Sequence, residues 1–480
     1  MEQENIRNVD IAIIGAGSAG MNAYKAARQY TDSIVIIENG SYGTTCADVG
    51  CMPSKLLIAA AEAAHSIEQA PAFGVKADAP IVDGRAVMAR VRSERDRFVG
   101  FVRSDVMAWP EEQRILGHAT FLDPHTIDVG GHTRVKARSV VIATGSRPVW
   151  PSAWDHIGDR LIVNDDVFSW EDLPKSVAVF GNGVIGLELA QSLHRLGVRM
   201  RLFGLGGLVG PLTDPRVKQS AREIFESEYA FDPEADVISI ERIEDRVRIT
   251  YRDKGQQVTE EFDYLLAATG RRPNTDKLAL ENAGVKLDKN GTPLDYDRST
   301  MRLGDSSIFI AGDAAPDVPL LHEASDMGRI AGENAARFPF VRERPRRAPL
   351  AVAFSDPQIA MVGESFEELT RRDANFVVGE VDFRGQGRAR VMLKNAGLLR
   401  VYADRNSGAF LGAEMVGPSA EHLAHLLAWS LQSQRTIQQM VDSPFYHPVI
   451  EEGLRTALRM ARDQLALHSE TPCFDCRTAA

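Results

Sequence analysis

The chain has 480 residues, of which 44% are hydrophobic and 25% charged, the balance of a globular protein with real cores rather than a disordered or membrane-embedded one. Its 55 Lys and Arg against 66 Asp and Glu leave a net charge of −11, which argues against sequence-independent nucleic-acid binding. The four cysteines form two close pairs, Cys46 with Cys51 and Cys473 with Cys476, which excludes a disulfide-stapled secreted domain and points to redox or metal chemistry.

The opening residues, Met1 to Asp10, are acidic and polar, and the apolar run after them ends quickly in glycines, so no signal-peptide core is read there. No stretch reaches the roughly 18 apolar residues of a membrane span, so no membrane association is expected and the expected home is the cytoplasm. At about 150 residues per domain the length suggests roughly three domains.

The first predicted unit is a strand at Val9 to Ile14, the turn Gly15-Ala16-Gly17-Ser18-Ala19-Gly20, a helix over Met21 to Tyr30 and a second strand at Ile34 to Ile37. The glycines let the backbone turn sharply and approach a pyrophosphate, whose charge the helix N-terminus faces. The cysteine segment follows, Gly43 to Lys55, with a helix predicted to begin near Pro53 and run through Leu56 to Glu62. A cysteine at a helix N-terminus has its thiolate stabilised by backbone amides and the dipole. The four residues between Cys46 and Cys51 allow a small disulfide ring; two buried thiols are the alternative, and zinc would need two further ligands from elsewhere.

A buried strand at Val140 to Ala143 ends in Thr144-Gly145, and the Pro- and Trp-containing link Arg147 to Pro151 marks a domain boundary. The first unit is then echoed: strand Ser176 to Phe180, turn Gly181-Asn182-Gly183-Val184-Ile185-Gly186, helix Leu187 to Leu196, strand Met200 to Phe203. One such glycine turn is weak evidence, but two in strand–turn–helix–strand context point to two dinucleotides. Tyr264 to Gly270 repeats the strand before Gly145, and Ile308 to Asp313 follows. The basic segment Phe338 to Pro349 is read as a solvated linker. Alternating runs at Val378 to Phe383, Leu398 to Ala403 and Phe410 to Val416 predict an antiparallel sheet, with helices at Ala420 to Gln434 and Ile450 to Leu467 packed on it. The predicted fold class is α/β, with two Rossmann-like dinucleotide-binding domains and a C-terminal α+β domain.

A carboxylate at the end of the second strand usually holds the nucleotide ribose. Gly20 plus 18 is Glu38, the expected acid, but Gly186 plus 18 is Gly204. The second site therefore lacks the usual ribose anchor, its choice between NAD and NADP is unread, and Arg199, Arg201 and Arg271 are candidates to compensate.

The cysteine segment and the doubled units resemble the flavin-dependent pyridine nucleotide–disulfide oxidoreductases of the dihydrolipoamide dehydrogenase, glutathione reductase and mercuric reductase type. The resemblance covers nearly the whole chain. It implies FAD in the first unit and NAD or NADP in the second. It matches Cys51 to the cysteine that abuts the flavin as a charge-transfer thiolate and Cys46 to the one that exchanges with the external disulfide. Lys55 matches a lysine near the flavin, Glu188 its acidic partner, and Asp313 the ribityl-binding aspartate. Leu320 to Ala324, with Leu321, matches a segment beside the ring, and Thr45, Ala119 and Gly145 fall where relatives line FAD. Gly181, Gly183, Gly186 and Gly270 fall to the nicotinamide nucleotide. Residues 346–480 then form a dimerisation domain in which His447 is the acid/base facing the disulfide across a homodimer interface, oriented by Glu452; a histidine suits proton exchange with a thiol near neutral pH. Residues 1–150 with 271–345 form the FAD domain and 151–270 the NAD(P) domain.

The implied activity is dihydrolipoyl dehydrogenase, oxidising dihydrolipoamide with reduction of NAD⁺ through a Cys46–Cys51 disulfide. The partner is a small-molecule or protein-bound disulfide or dithiol, with a 2-oxoacid dehydrogenase complex as a candidate assembly. The alternatives are an NAD(P)H-dependent reductase of a glutathione-like disulfide, mercuric ion or quinone, or a non-catalytic flavoprotein. Three features depart from the family pattern: Gly204, Val449 where relatives usually carry Thr, and the tail Thr471 to Cys476. Cys473 and Cys476 are read as part of a frayed tail, the alternative being an electron relay or metal-delivery pair.

Overall fold

The computed structural model describes residues 5–289 and 291–469, so Cys473 and Cys476 lie outside the described residues. The first sheet opens with β1 (Asn5–Ile14), α1 (Ser18–Ala27) and β2 (Ile34–Glu38), and the chain then leaves it for α2 (Thr45–Asp48), α3 (Cys51–Gln69) and α4 (Gly84–Met107). It returns through β3 (Arg114–Leu116), β4 (Ala119–Asp123), β5 (Thr126–Val129) and β6 (Thr133–Ile142), in the order β3-β2-β1-β6-β5-β4. β1 lies parallel to β2 and β6, whereas β4, β5 and β6 form an antiparallel meander. Ile11 to Ile14, Ile34 to Ile37 and Val140 to Ile142 are buried, as parallel strands covered on both faces must be.

The second body comprises β7 (Ser146–Pro148), β8 (Leu161–Ile162), α5 (Asn164–Val167), β9 (Ser176–Phe180), α6 (Val184–Arg195), β10 (Arg199–Phe203), α7 (Pro215–Glu228) and β11 (Phe231–Asp232). It continues with β12 (Asp236–Ile243), β13 (Arg246–Asp253), β14 (Gln256–Phe262), β15 (Tyr264–Ala267) and β16 (Arg271–Pro273). Its parallel sheet has the order β11-β10-β9-β15-β8, β12 to β14 form a separate antiparallel sheet, and β16 pairs with β7. β17 (Ile308–Ile310) then pairs with β6, returning the chain to the first sheet, and α8 (Leu321–Arg337) lies against α1.

The last body holds β18 (Leu350–Ala353), β19 (Gln358–Gly363), α9 (Phe366–Arg371), β20 (Phe376–Asp382), α10 (Gly387–Val391), β21 (Leu398–Asp404) and β22 (Phe410–Gly417), followed by α11 (Ala420–Gln432), α12 (Ile437–Val441) and α13 (Glu451–Ser469). Its antiparallel sheet runs β18-β19-β22-β21-β20, with α11 over β19 and β22 and α13 over β20 and β21. It is docked on the second body by Glu414, fully buried, which accepts hydrogen bonds from the backbone of Thr213 (2.7 Å) and Asp214 (2.8 Å). Arg400 answers with an ion pair to the buried Asp214 at 2.5 Å.

Several expectations are corrected. α3 starts at Cys51 rather than near Pro53, after the separate turn of α2, and α1 and α6 begin three residues before Met21 and Leu187, because the last glycines of both turns already lie in the first helical turn. The meanders β4–β6 and β12–β14 and the strands β18 and β19 were not foreseen. The basic linker is not simply solvated: Arg344 bonds Glu333 at 2.6 Å, Arg346 pairs with Glu323, and Arg347 approaches Asp326 at 3.4 Å, all on α8. Among the described residues no helix is long and apolar enough to cross a membrane.

The contact between α1 and α8 depends on small residues. A Cβ at Gly328 or Gly332 would overlap the backbone of Ala19 or Ala23 on α1, whereas one at the exposed Gly100 of α4 would meet nothing. Gly332→Ala is therefore expected to cost about 1–3 kcal/mol and Gly100→Ala to add about 0.5–1 kcal/mol. Urea-unfolding midpoints moving in opposite directions check both.

Candidate active site

The sequence-predicted sulfur pair is brought together by a short helical detour. Thr44 caps α2, its hydroxyl accepting from Ala47 N at 3.1 Å, and this turn carries Cys46 back toward Cys51, the first residue of α3. Gly50 permits the reversal, since a Cβ there would press on Thr45 O at 2.8 Å. The Cys46 thiol hydrogen-bonds to Cys51, and that bond, with burial, pushes Cys46 upward. The same bond, with help from the Lys55 ammonium and against burial, brings Cys51 down to about 7. Of the two, Cys51 is the sulfur that ionises first, with Cys46 as the thiol that donates to it.

Lys55, one turn along α3, ion-pairs at 2.8 Å with Glu188 of α6, which is buried. The other Glu188 oxygen accepts from Phe354 N at 2.8 Å, and the Phe354 ring lies 4.5 Å from the Lys55 nitrogen. Asn164, at the start of α5, donates to Val49 O at 3.0 Å and so ties the cysteine loop to the second body.

Both glycine turns fit a dinucleotide. At the first and third glycines of each, Gly15 and Gly20, Gly181 and Gly186, a Cβ would overlap neighbouring backbone, whereas at the middle ones, Gly17 and Gly183, it would meet open space. The outer glycines serve packing, and the middle ones leave room for a pyrophosphate at the helix start. Glu38 lies over the first turn, accepting from Ala16 N (2.7 Å) and Gly40 N (3.2 Å). Gly145 and Gly270 end the two paired strands with positive φ of 68° and 123°. Asp313 accepts from Ser146 at 2.8 Å, and Arg271 in turn donates to Ser146. Thr45 is exposed at the start of α2, Ala119 is buried at the start of β4, and Leu321, half exposed, opens α8.

Two of the arginines read as substitutes for the ribose acid serve elsewhere. Arg199 and Arg201 ion-pair with Glu260 of β14 at 2.8 and 3.1 Å and lie over Phe262 and Tyr251. Arg271 is engaged by Ser146.

His447 precedes α13 and is four-fifths exposed, its Nδ1 3.0 Å from both Glu452 oxygens. That hydrogen bond holds Glu452 below the usual carboxylate range and occupies Nδ1 rather than Nε2. Sequence reasoning missed Phe354, Ser146, Asn164 and Asn182. Only Asn182 carried a local signal, its place inside the second glycine turn.

Residues 9–328 match the family model of pyridine nucleotide-disulphide oxidoreductases, and residues 350–458 match that family's dimerisation domain. Among curated relatives, dihydrolipoyl dehydrogenase 2 of Haloarcula marismortui is 30% identical over 96% of this chain and 98% of its own length. The dihydrolipoyl dehydrogenase of Chlamydia muridarum is 31% identical over 95% and 97%. Among solved structures, LpdA of Mycobacterium tuberculosis superposes with a TM-score of 0.80 at 23% identity, covering 94% of this chain and 99% of its own. RclA of Escherichia coli, titled a HOCl-induced flavoprotein disulfide reductase, has a TM-score of 0.79 at 22% identity over 94% and 99%. Both show the shared fold.

Replacing Lys55 by Met removes the charge that favours the Cys51 thiolate and leaves Glu188 to oppose it, so the Cys51 titration moves up from about 7. In the reduced protein, iodoacetamide labelling of Cys51 at pH 7 is expected to slow by up to about fivefold for the first unit gained, as the thiolate fraction falls from about one half to about one tenth; its pH profile checks this.

Proposed function

The chain belongs to the pyridine nucleotide-disulphide oxidoreductase family, an enzyme family that uses FAD and NAD(P)H, and from that membership we propose that it is a dihydrolipoyl dehydrogenase. The observation that carries the proposal is the hydrogen-bonded Cys46–Cys51 pair at the start of α3, with its thiolate on Cys51 and the Lys55–Glu188 ion pair one turn away. Curated dihydrolipoyl dehydrogenases related over nearly the full chain support the choice of substrate.

Gly15, Gly17 and Gly20 would hold the FAD pyrophosphate, Glu38 its ribose, and Asp313, set by Ser146, the ribityl chain. When bound, FAD supplies hydride chemistry between the sulfur pair and the nicotinamide. The protein's part begins with the Cys46–Cys51 disulfide. A substrate thiolate attacks Cys46 Sγ and the S–S bond breaks, its electron pair leaving on Cys51 Sγ. The Lys55 ammonium and the α3 N-terminus stabilise that thiolate. The second substrate thiol gives its proton to His447 and its sulfur displaces Cys46, so the substrate closes to a disulfide and the two cysteines hold the two electrons. Glu452 holds His447 by Nδ1, so that Nε2 is the nitrogen that would take the proton.

The dimerisation domain supports a homodimer, in which His447 acts on the sulfur pair of the opposite subunit. Its four-fifths exposure within one subunit suits a residue completed by a second. A cytoplasmic setting, where thiol pools are kept reduced, suits the chemistry, and a lipoyl-bearing 2-oxoacid dehydrogenase complex is the assembly such an enzyme serves.

The test is steady-state turnover on dihydrolipoamide, glutathione disulfide, mercuric ion and a quinone, each with its nicotinamide partner. Dihydrolipoamide is expected to give the highest kcat/KM; a higher value for glutathione disulfide, mercuric ion or the quinone rejects the substrate assignment. Cys46→Ser is expected to retain bound FAD, read from its visible absorbance, while losing dithiol oxidation. His447→Gln is expected to lower dihydrolipoamide turnover by about 10²–10⁴-fold, with FAD content unchanged.

A further inference from the structure

The two glycine turns are built alike, but the strand ends beside them are not. In the first site the side chain reaching over the turn comes from the strand, where Glu38 accepts from Ala16 N at 2.7 Å. In the second site the corresponding residues are Asn182 in the turn and Gly204 after β10. No side chain fits at Gly204: a Cβ would lie 2.5 Å from Asn182 Nδ2 and 2.7 Å from Pro233 Cα. The Asn182 side chain fills that place instead. It is buried, donates to Leu208 O (2.6 Å) and Pro233 O (3.3 Å), and accepts from Leu205 N at 3.4 Å. The usual ribose acid is thus replaced by a neutral amide already engaged with the protein.

The charge beside this place comes from the neighbouring strand. The loop after β10 is laced to the loop after β11, with Gly204 N on Asp232 O (2.7 Å), Gly207 N on Pro233 O (3.0 Å) and Ala235 N on Gly204 O (3.2 Å). The lacing brings the exposed carboxylate of Glu234 over Gly207, where a Cβ would sit 2.8 Å from its Oε1. Asp232 accepts from Glu234 N at 3.1 Å and adds a second acid at the same strand end. The three walls of the ribose position, Gly181 to Ala190, Gly204 to Pro211 and Phe231 to Val237, contain no Lys or Arg. The arginines of β10 are held by Glu260, away from this end.

We propose that Glu234, presented from the loop after β11, is the specificity-determining acid of the second nucleotide site and makes the enzyme selective for NAD(H) over NADP(H). With the second turn holding the nicotinamide nucleotide, as in the function proposed above, the adenosine ribose falls at the ends of β9 and β10. A ribose 2′-hydroxyl there can donate to the Glu234 carboxylate. A 2′-phosphate in the same place meets the carboxylates of Glu234 and Asp232 with no Lys or Arg in the walls around it, a repulsion that acts at short range. The usual strand-end acid is thereby supplied from one strand further along the sheet.

The test is isothermal titration of the FAD-loaded, full-length wild type and Glu234→Gln with NAD⁺ and NADP⁺, which bind without reducing the enzyme. In the wild type NAD⁺ is expected to bind at least about tenfold more tightly than NADP⁺. In Glu234→Gln that ratio is expected to fall toward one, by tighter NADP⁺ and weaker NAD⁺ binding. NADP⁺ binding as tightly as NAD⁺ in the wild type, or a ratio unmoved by Glu234→Gln, overturns the assignment of Glu234 and leaves the nicotinamide site standing. Absence of binding by both nucleotides overturns the nicotinamide site and the assignment with it.

Discussion

The architecture converges on one ion pair, Lys55 with Glu188 at 2.8 Å. Lys55 stands on α3, which leaves the first sheet to bury Leu57 and Ala61 in the core of the second body. Glu188 stands on α6 beneath the second glycine turn, and its other oxygen is held by the backbone of Phe354 at the end of the third body's first strand. A carboxylate this deeply buried needs partners on both oxygens, because an unpaired charge there would be costly. The Lys55 ammonium adds to the hydrogen bond from Cys46, which is what places the thiolate preference on Cys51, while Glu188 opposes it. The ion pair therefore joins the meeting of the three bodies to the sulfur site: Glu188, held from the second and third bodies, fixes the ammonium that stands one turn from Cys51.

Each glycine turn solves the same packing problem, and the outer glycines of both are pressed against backbone in the same way. What surrounds them has diverged. In the first site the strand-end acid survives as Glu38 and is tied down by two backbone amides. In the second the strand end is Gly204, the turn carries Asn182, and the nearest acid, Glu234, follows the next strand. The two sheets and helices pack alike all the same, because that packing rests on the backbone geometry of the turns and not on the charge beside them.

Legibility in the sequence followed the range of the interaction. The glycine turns and the parallel strands beside them were readable because both signals are local: small residues at fixed spacing, and apolar runs with no polar face. The cysteine segment was readable for the same reason, although the start of its helix lay earlier than expected, since Gly50 rather than Pro53 ends the preceding turn. The meander β12–β14 was missed because its strands expose charged faces, and the alternation in Asp236 to Ile243 is weak. Arg344 and Arg346 looked solvated because their carboxylate partners lie 11 and 23 residues upstream on α8. Phe354, Ser146 and Asn164 gave no local sign at all; each matters through a contact more than 100 residues away in the chain.

The central claim is that Cys46 and Cys51 form one reversible two-electron couple. It is tested most directly by peptide mapping of protein denatured and labelled with iodoacetamide before and after addition of one equivalent of dihydrolipoamide per subunit under argon. If the claim holds, the oxidised protein is unlabelled at both positions and the reduced protein carries label at Cys46 and at Cys51. Labelling of the two cysteines that is the same before and after reduction would contradict it.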